Sequence, residues 1–187
     1  IAVDGRNMLQ YKMEHVSKEM DQLLMGFHPE VAEIFENLLK ALTIQAWATF
    51  EAMAKELCDF VAKCSIPSFR IPSGEEKKQT GFHSRDRIRN TYEIGFRNEA
   101  INGCLKRNKI DALALLRNIL VHHGGKVDKE FKTAAQYHDS LKSFTNIPDG
   151  SKIPFTGPLV VSVVEPAITS GYNLIAAVEN WIEENRE

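Results

Sequence analysis

The chain has 187 residues, of which 43% are hydrophobic and 26% charged, so it can bury one sizeable core, and without a break in composition a single domain over residues 1–187 is expected. A formal net charge of -2 argues against a uniformly basic nucleic-acid binder, and three cysteines with no Cys-x2-Cys pair argue against a disulfide framework or a thiolate metal site. The N-terminal residues do not read as a charged-then-apolar leader, the start at Ile1 is read as that of a candidate fragment of a longer protein, and no apolar run approaches ~18 residues, so a cytoplasmic location without a membrane is expected.

In chain order, residues 7–27 carry Met13, Val16, Met20, Leu23 and Phe27 at the spacing of an amphipathic helix. His28-Pro29-Glu30 breaks it, and Pro29 suits the first turn of a second helix, where its missing N–H costs nothing. That helix is expected over residues 29–64 on an inward stripe of Val31, Phe35, Leu38, Leu42, Ala46, Phe50, Met53, Leu57, Phe60 and Cys64. At 1.5 Å per residue it reaches about 50 Å, so it should bend near Thr43 or lay apolar surface against another subunit. Glu51 and Lys55 stand four apart, the spacing of a surface ion pair. Residues 66–84 hold Pro67, Pro72, Gly74 and Gly81 without periodicity, and predict a long loop, a candidate mobile flap, in which His83 is solvated.

Residues 85–109 predict one or two short helices broken near Gly95 and Gly103, with Ile88, Tyr92 and Phe96 inward. The charge is concentrated here. Residues 70–132 contain 14 Lys or Arg against 8 Asp or Glu, leaving 9 against 17 elsewhere. Arg85, Arg87, Arg89, Arg97, Lys106, Arg107 and Lys109, with Lys126 further on, form the stretch a polyanion would prefer, the alternative being solvated helix faces. Residues 127–141 predict another helix, with His138 beside Phe131, Ala134 and Ala135. The β-branched run 159–164 predicts a strand, pairing with 152–155 in a small hairpin. Pro166 then opens a last helix with Ile168, Tyr172, Ile175, Val178 and Ile182 inward. The expected class is all-α: an up-and-down bundle of long amphipathic helices with a small β-hairpin before the C-terminal helix.

Between these elements, residues 110–125 concentrate the chemistry. Leu113, Leu116 and Leu120 make a core stripe, while Asp111, Leu115, Asn118 and His122 make a second one. Gly124 and Gly125 should stop the helix, leaving His122 and His123 in its last turn. The run Arg117-Asn118-Ile119-Leu120-Val121-His122, an Arg, a polar residue, three unspecified positions and a His near a helix end, resembles the signature of the HEPN family, the higher eukaryote and prokaryote nucleotide-binding domains. That resemblance implies an all-helical module and a metal-independent ribonuclease without cofactor, acting on single-stranded RNA as a toxin or defence effector. It implies catalytic roles for Arg117, Asn118 and His122, with His123 as a rival to His122 and Glu51 as the supporting acid on the second helix. A non-catalytic HEPN-like module that binds a nucleotide, RNA or a protein is the alternative. The tyrosine that some HEPN toxins carry two residues past the His, where a partner enzyme modifies it, is Gly124 here. An antitoxin protein that covers the cleft is the form of control that remains.

Other chemistries lack their motifs: the chain has no His-Glu-x2-His, phosphate loop, nucleophile elbow or Rossmann glycine pattern. His122, His123 and His138 lack thiolate or carboxylate companions at a recognised spacing, and no metal is expected. Arg117 and His122 are five positions apart, so on one helix they point about 140° apart. A homodimer in which two helix ends share one cleft is therefore expected.

Overall fold

A computed structural model of the chain describes residues 29–106 and 110–186. The helix expected over residues 7–27, together with Arg107 and Lys109, lies outside the described residues. Within them the protein is all-α, as the periodicity predicts. The α-helices are α1 (Pro29–Lys63), α2 (Arg85–Phe96), α3 (Glu99–Cys104), α4 (Asp111–His123), α5 (Lys129–Ala135) and α6 (Gly157–Glu184), with 3-10 turns at Gly74–Lys78 and Lys142–Asn146. The chain divides into two compact units. One holds residues up to Gln45 with Leu116–Glu165, and the other Ala46–Leu115 with Pro166–Glu187. Helices α1, α4 and α6 each contribute a segment to both.

The helix starts follow from local chemistry. Ser84 Oγ accepts from Arg87 N at 3.4 Å, Asn98 Oδ1 from Ile101 N at 3.0 Å and Asp128 Oδ1 from Phe131 N at 2.7 Å, each satisfying an N–H that has no partner within its own helix. Arg97 ends α2 in the left-handed region at φ 49°.

In the second unit the core centres on rings. Phe96 lies 5.0 Å from Phe69 and 5.1 Å from Trp181, edge to face, and stacks on Tyr92 at 5.1 Å. The fully buried Tyr92 hydroxyl donates to the Ala54 carbonyl at 2.8 Å. Burial pushes the Tyr92 phenol above its ordinary range and the Cys58 thiol up to about 12. The 66–84 loop, expected as a free flap, is stitched to α2. Arg70 N–H donates to Gly95 O, Gly81 N–H to Thr91 Oγ1 and Asn90 Nδ2 to Gln79 O, at 3.0, 2.8 and 3.0 Å.

In α1 the buried row is Leu39, Thr43, Trp47, Phe50, Ala54, Cys58 and Val61, while Leu38 and Leu42, expected inside, are half-exposed to solvent with Ile34. Thr43 can be buried because its hydroxyl donates to the Leu39 carbonyl at 2.9 Å. Lys55 pairs with Asp59 at 2.5 Å rather than with Glu51.

The first unit corrects the expected hairpin. Residues 159–164 are helical, since α6 begins at Gly157 and Pro166 lies inside it. Thr156 is the start signal: its Oγ1 accepts from Leu159 N at 3.4 Å and its carbonyl from Val160 N at 3.1 Å, with Pro158 in the first turn. Burial of Leu159, Val160 and Val163 outweighs the weak helix propensity of the β-branched run. Within 152–155, Lys152 pairs instead with the turn after α4. Val127 N–H donates to Ser151 O and Ile153 N–H to Gly125 O, each at 2.9 Å, framing an antiparallel bridge between Lys126 and Lys152, the only β pairing among the described residues. Helix α5 ends at Ala135, and His138 beyond it is buried. Helix α6 is also, by length and composition, apolar enough to cross a membrane, which a reading that split it into strand and helix did not anticipate. Its buried members are Leu159, Val160, Val163, Ala167, Ser170, Leu174, Val178 and Trp181, and Ile168 and Tyr172, expected inside, are exposed.

Candidate active site at the end of α4

Helix α4 changes character along its length. Ile110, Asp111, Ala112, Leu113 and Ala114 are all buried, and Asp111 is held by ion pairs with Arg89 and, at 3.9 Å, with Arg85. Further on, Leu116 and Ile119 continue the core while Asn118, Val121, His122 and His123 are exposed. Asn118 and His122, four residues apart, share the exposed face.

Arg117 is half-buried, and its Nη1 donates to Asn118 Oδ1 at 2.9 Å. The contact orients the Asn118 amide, since only its oxygen can accept. It draws the guanidinium toward the Asn118 side, the side that also bears His122, and among the described residues the other N–H donors of Arg117 make no hydrogen bond. His122 makes no hydrogen bond or ion pair among the described residues. His123 differs: its Nδ1 stands 3.2 Å from Asp128 Oδ2, and the other oxygen of the same carboxylate caps α5. The two histidines, equivalent in sequence, are therefore distinct. Among the described residues one is without a partner and the other is engaged by a carboxylate.

The helix stops as the glycines predict. Gly124 and Gly125 take φ of 59° and 77°, and the Gly125 N–H reaches back to the Ile119 carbonyl at 2.9 Å. The Lys126–Lys152 bridge follows immediately, and a shallow depression of about 560 Å³ lies beside it, lined by His123, Lys126, Asp128, Lys129, Glu130 and Asp149 among others.

The remaining candidates are dispersed. Glu51 sits half-buried in the second unit, with Oε1 buried and without a hydrogen-bond partner among the described residues. Arg89 also donates from Nε to the Leu105 carbonyl at 2.6 Å, and Arg87 Nη1 to the Thr80 carbonyl at 3.4 Å, so both guanidinium groups serve the fold. Arg97, Lys106 and Lys126 are exposed. Sequence reasoning missed Asp128, though an Asp three residues before Phe131 is an N-cap pattern, and it missed Lys152, whose only signal is the alternation of exposed Lys152 and Pro154 with buried Ile153 and Phe155. Among the described residues no three His, Cys, Asp or Glu side chains gather as a metal site requires. No protein-family model matches the sequence, nor does any curated protein or solved structure.

Proposed function

We propose that the protein is a HEPN-like, metal-independent endoribonuclease that cuts single-stranded RNA in the cytoplasm as a toxin or phage-defence effector. The observation that carries this reading is a held cation and an imidazole without a partner among the described residues on the last turns of one helix: Arg117 held by Asn118 at 2.9 Å, and His122 exposed one turn beyond Asn118. In this reaction the ribose 2′-oxygen attacks the adjacent phosphorus and the bond to the 5′-oxygen breaks, leaving a 2′,3′-cyclic phosphate and a 5′-OH. His122 takes the 2′-OH proton and returns one to the departing 5′-oxygen, a task suited to imidazole because its ordinary titration lies near neutral pH. Arg117 neutralises the charge that builds on the phosphorane, and its planar fork bonds two phosphate oxygens at once. Asn118 positions Arg117. Carboxylate engagement of His123 favours His122 for the proton transfer.

Purified protein should cut single-stranded RNA in EDTA to cyclic-phosphate ends. Arg117→Ala and His122→Ala should each lose on the order of 10²-fold or more, while His123→Ala keeps most activity. Cleavage lost on chelation, or undiminished in His122→Ala, would sink the assignment. Growth inhibition on expression, relieved by Arg117→Ala, tests the toxin role, and co-expression with a covering antitoxin should restore growth.

The angular offset of about 140° between Arg117 and His122 on one helix favours a second element at the cleft. A two-fold homodimer supplies it, with Arg117 of one protomer facing His122 of its partner and exposed Ile34, Leu38 and Leu42 of α1 offering apolar surface. Co-expressed Arg117→Ala and His122→Ala chains should regain part of the activity in the mixed dimer, and a protein that is monomeric at active concentrations would refute the shared cleft. The same offset favours, as the second reading, a module that grips RNA without cutting it. Such a protein retards RNA on a gel and leaves its length unchanged.

A further inference from the structure

We infer that Lys126 and Lys152 form a two-lysine clamp for the phosphate backbone of single-stranded RNA, a subsite next to the α4 terminus that rests on the RNA reading above. The bridge geometry carries the argument. Hydrogen bonds run from Val127 N to Ser151 O and from Ile153 N to Gly125 O, flanking the Lys126–Lys152 pair rather than joining it. That makes it the narrow, non-hydrogen-bonded kind of antiparallel pair, in which opposed Cα atoms stand about 4.5 Å apart and the side chains leave on one face. Val127 and Ile153, the next residue on each strand, are buried at 1%, so the lysine face is the outer one, and both lysines are exposed.

Like charges directly opposite one another destabilise a bridge, yet among the described residues neither lysine has an acidic partner. The nearby carboxylates are committed elsewhere: Asp128 to His123 and the α5 cap, and Asp149 to Lys132 at 2.6 Å. Lys132 accordingly holds the Asp149 carboxyl below its usual range. Glu130, on the wall of the depression, is the exception. Two ammonium groups on one face, beside a depression whose wall includes His123 and Lys129, offer paired cations to the anionic oxygens of a nucleic-acid strand. A strand lying there runs past the end of α4, where Arg117 and His122 are placed.

The test is fluorescence anisotropy with a 2′-O-methyl oligonucleotide, which cannot be cleaved, across a salt series. The proteins are wild type, a Lys126→Gln/Lys152→Gln double variant and a Lys77→Gln/Lys78→Gln control on the exposed 3-10 turn. The clamp predicts that the slope of log K against log salt shrinks by about 1.4 in the double variant, near 0.7 for each phosphate that is no longer neutralised, and stays unchanged in the control. It also predicts that Lys152→Gln raises Tm by about 1–2 °C without RNA, because one repulsion is removed. Wild type that binds RNA with a slope equal to that of the double variant would overturn the clamp and leave the RNA reading standing. Wild type that binds no RNA removes both. A Tm lowered by several degrees would make the lysines structural, and equal retention of poly-glutamate would assign the face to acidic peptides instead.

Discussion

Removing the Asp111 carboxylate should destabilise the protein far more than removing any exposed charge near it. Asp111 is the first residue of α4, its side chain is 6% exposed, and Arg89, at 19%, pairs with it while also bonding the Leu105 carbonyl at 2.6 Å. Taking one partner from a buried ion pair costs about 3–5 kcal/mol because the other charge is stranded. Arg89 keeps the Leu105 carbonyl and Asp86, at 3.4 Å, so the low end, about 3 kcal/mol, is expected for Asp111→Ala. With a urea m-value of roughly 2 kcal/mol/M, the midpoint falls by about 1.5 M at unchanged m. Arg85 reaches the same carboxylate at 3.9 Å from a side chain 34% exposed, and Arg85→Ala should cost under ~1 kcal/mol. Replacing both members of the main pair, as Arg89→Met with Asp111→Val, should leave the protein more stable than Asp111→Ala alone, since no charge is left buried. Urea unfolding followed by circular dichroism decides the matter. An Asp111→Ala midpoint within ~0.5 M of wild type, or equal to that of Arg85→Ala, would refute the reasoning.

Thiol labelling of the native protein should modify Cys64 quickly and spare Cys58 and Cys104, because Cys64 is exposed, the other two are buried, and burial raises Cys58 to about 12. All three should react in denaturant. Asp149 should titrate below its ordinary 3.8 because of its hydrogen bond to Lys132, and Lys132→Gln should bring it back up in a carboxyl NMR titration. With the folded value depressed, the contribution of this pair is full above 3.8 and disappears as pH falls through the folded value, so the two proteins should converge in stability at acid pH. Gly124 has φ of 59° and open space where a Cβ would stand. Gly124→Ala should therefore cost about 1 kcal/mol from backbone strain alone, and Gly124→Asn less, in thermal melts.

What the sequence made legible was mostly local. The paired glycines announce the end of α4 because a helix stop is short-range chemistry, and α1 follows from its unbroken apolar periodicity. The register of α1 was not legible. Rows through Leu38 and Leu42 and through Leu39, Thr43 and Trp47 are both helical, and the buried row contains a threonine whose polarity is cancelled only by a hydroxyl bond within the helix. The run at 159–164 reads as a strand because β-branching speaks for strands; the Thr156 cap that starts the helix is local, but the burial of Leu159, Val160 and Val163 that overrides the propensity depends on tertiary context. In the candidate site, the place of His122 and His123 in the last turn of α4 was legible from the paired glycines, whereas the roles of Arg117, Asn118 and His122 rest on the resemblance. What separates His122 from His123 is a carboxylate beyond the glycine turn, and what commits Arg89 to the fold is an aspartate 22 residues away. Charge counted along a chain does not say which charges are already paired.

The glycine turn after α4 has a further consequence, for hydrogen exchange. Helix ends ordinarily fray, and their amides exchange from local openings of almost no cost. Here the Gly125 amide is bonded to Ile119 O, and the Gly125 carbonyl in turn accepts from Ile153 N, while Val127 N is bonded to Ser151 O and Gly150 N to Val127 O. These four amides belong to one connected set that closes over the helix terminus, so none can open far without the others. They should exchange at one common, slow rate while nearby amides of the loop exchange quickly, so fraying at the terminus that bears His122 should be tied to the opening of that set.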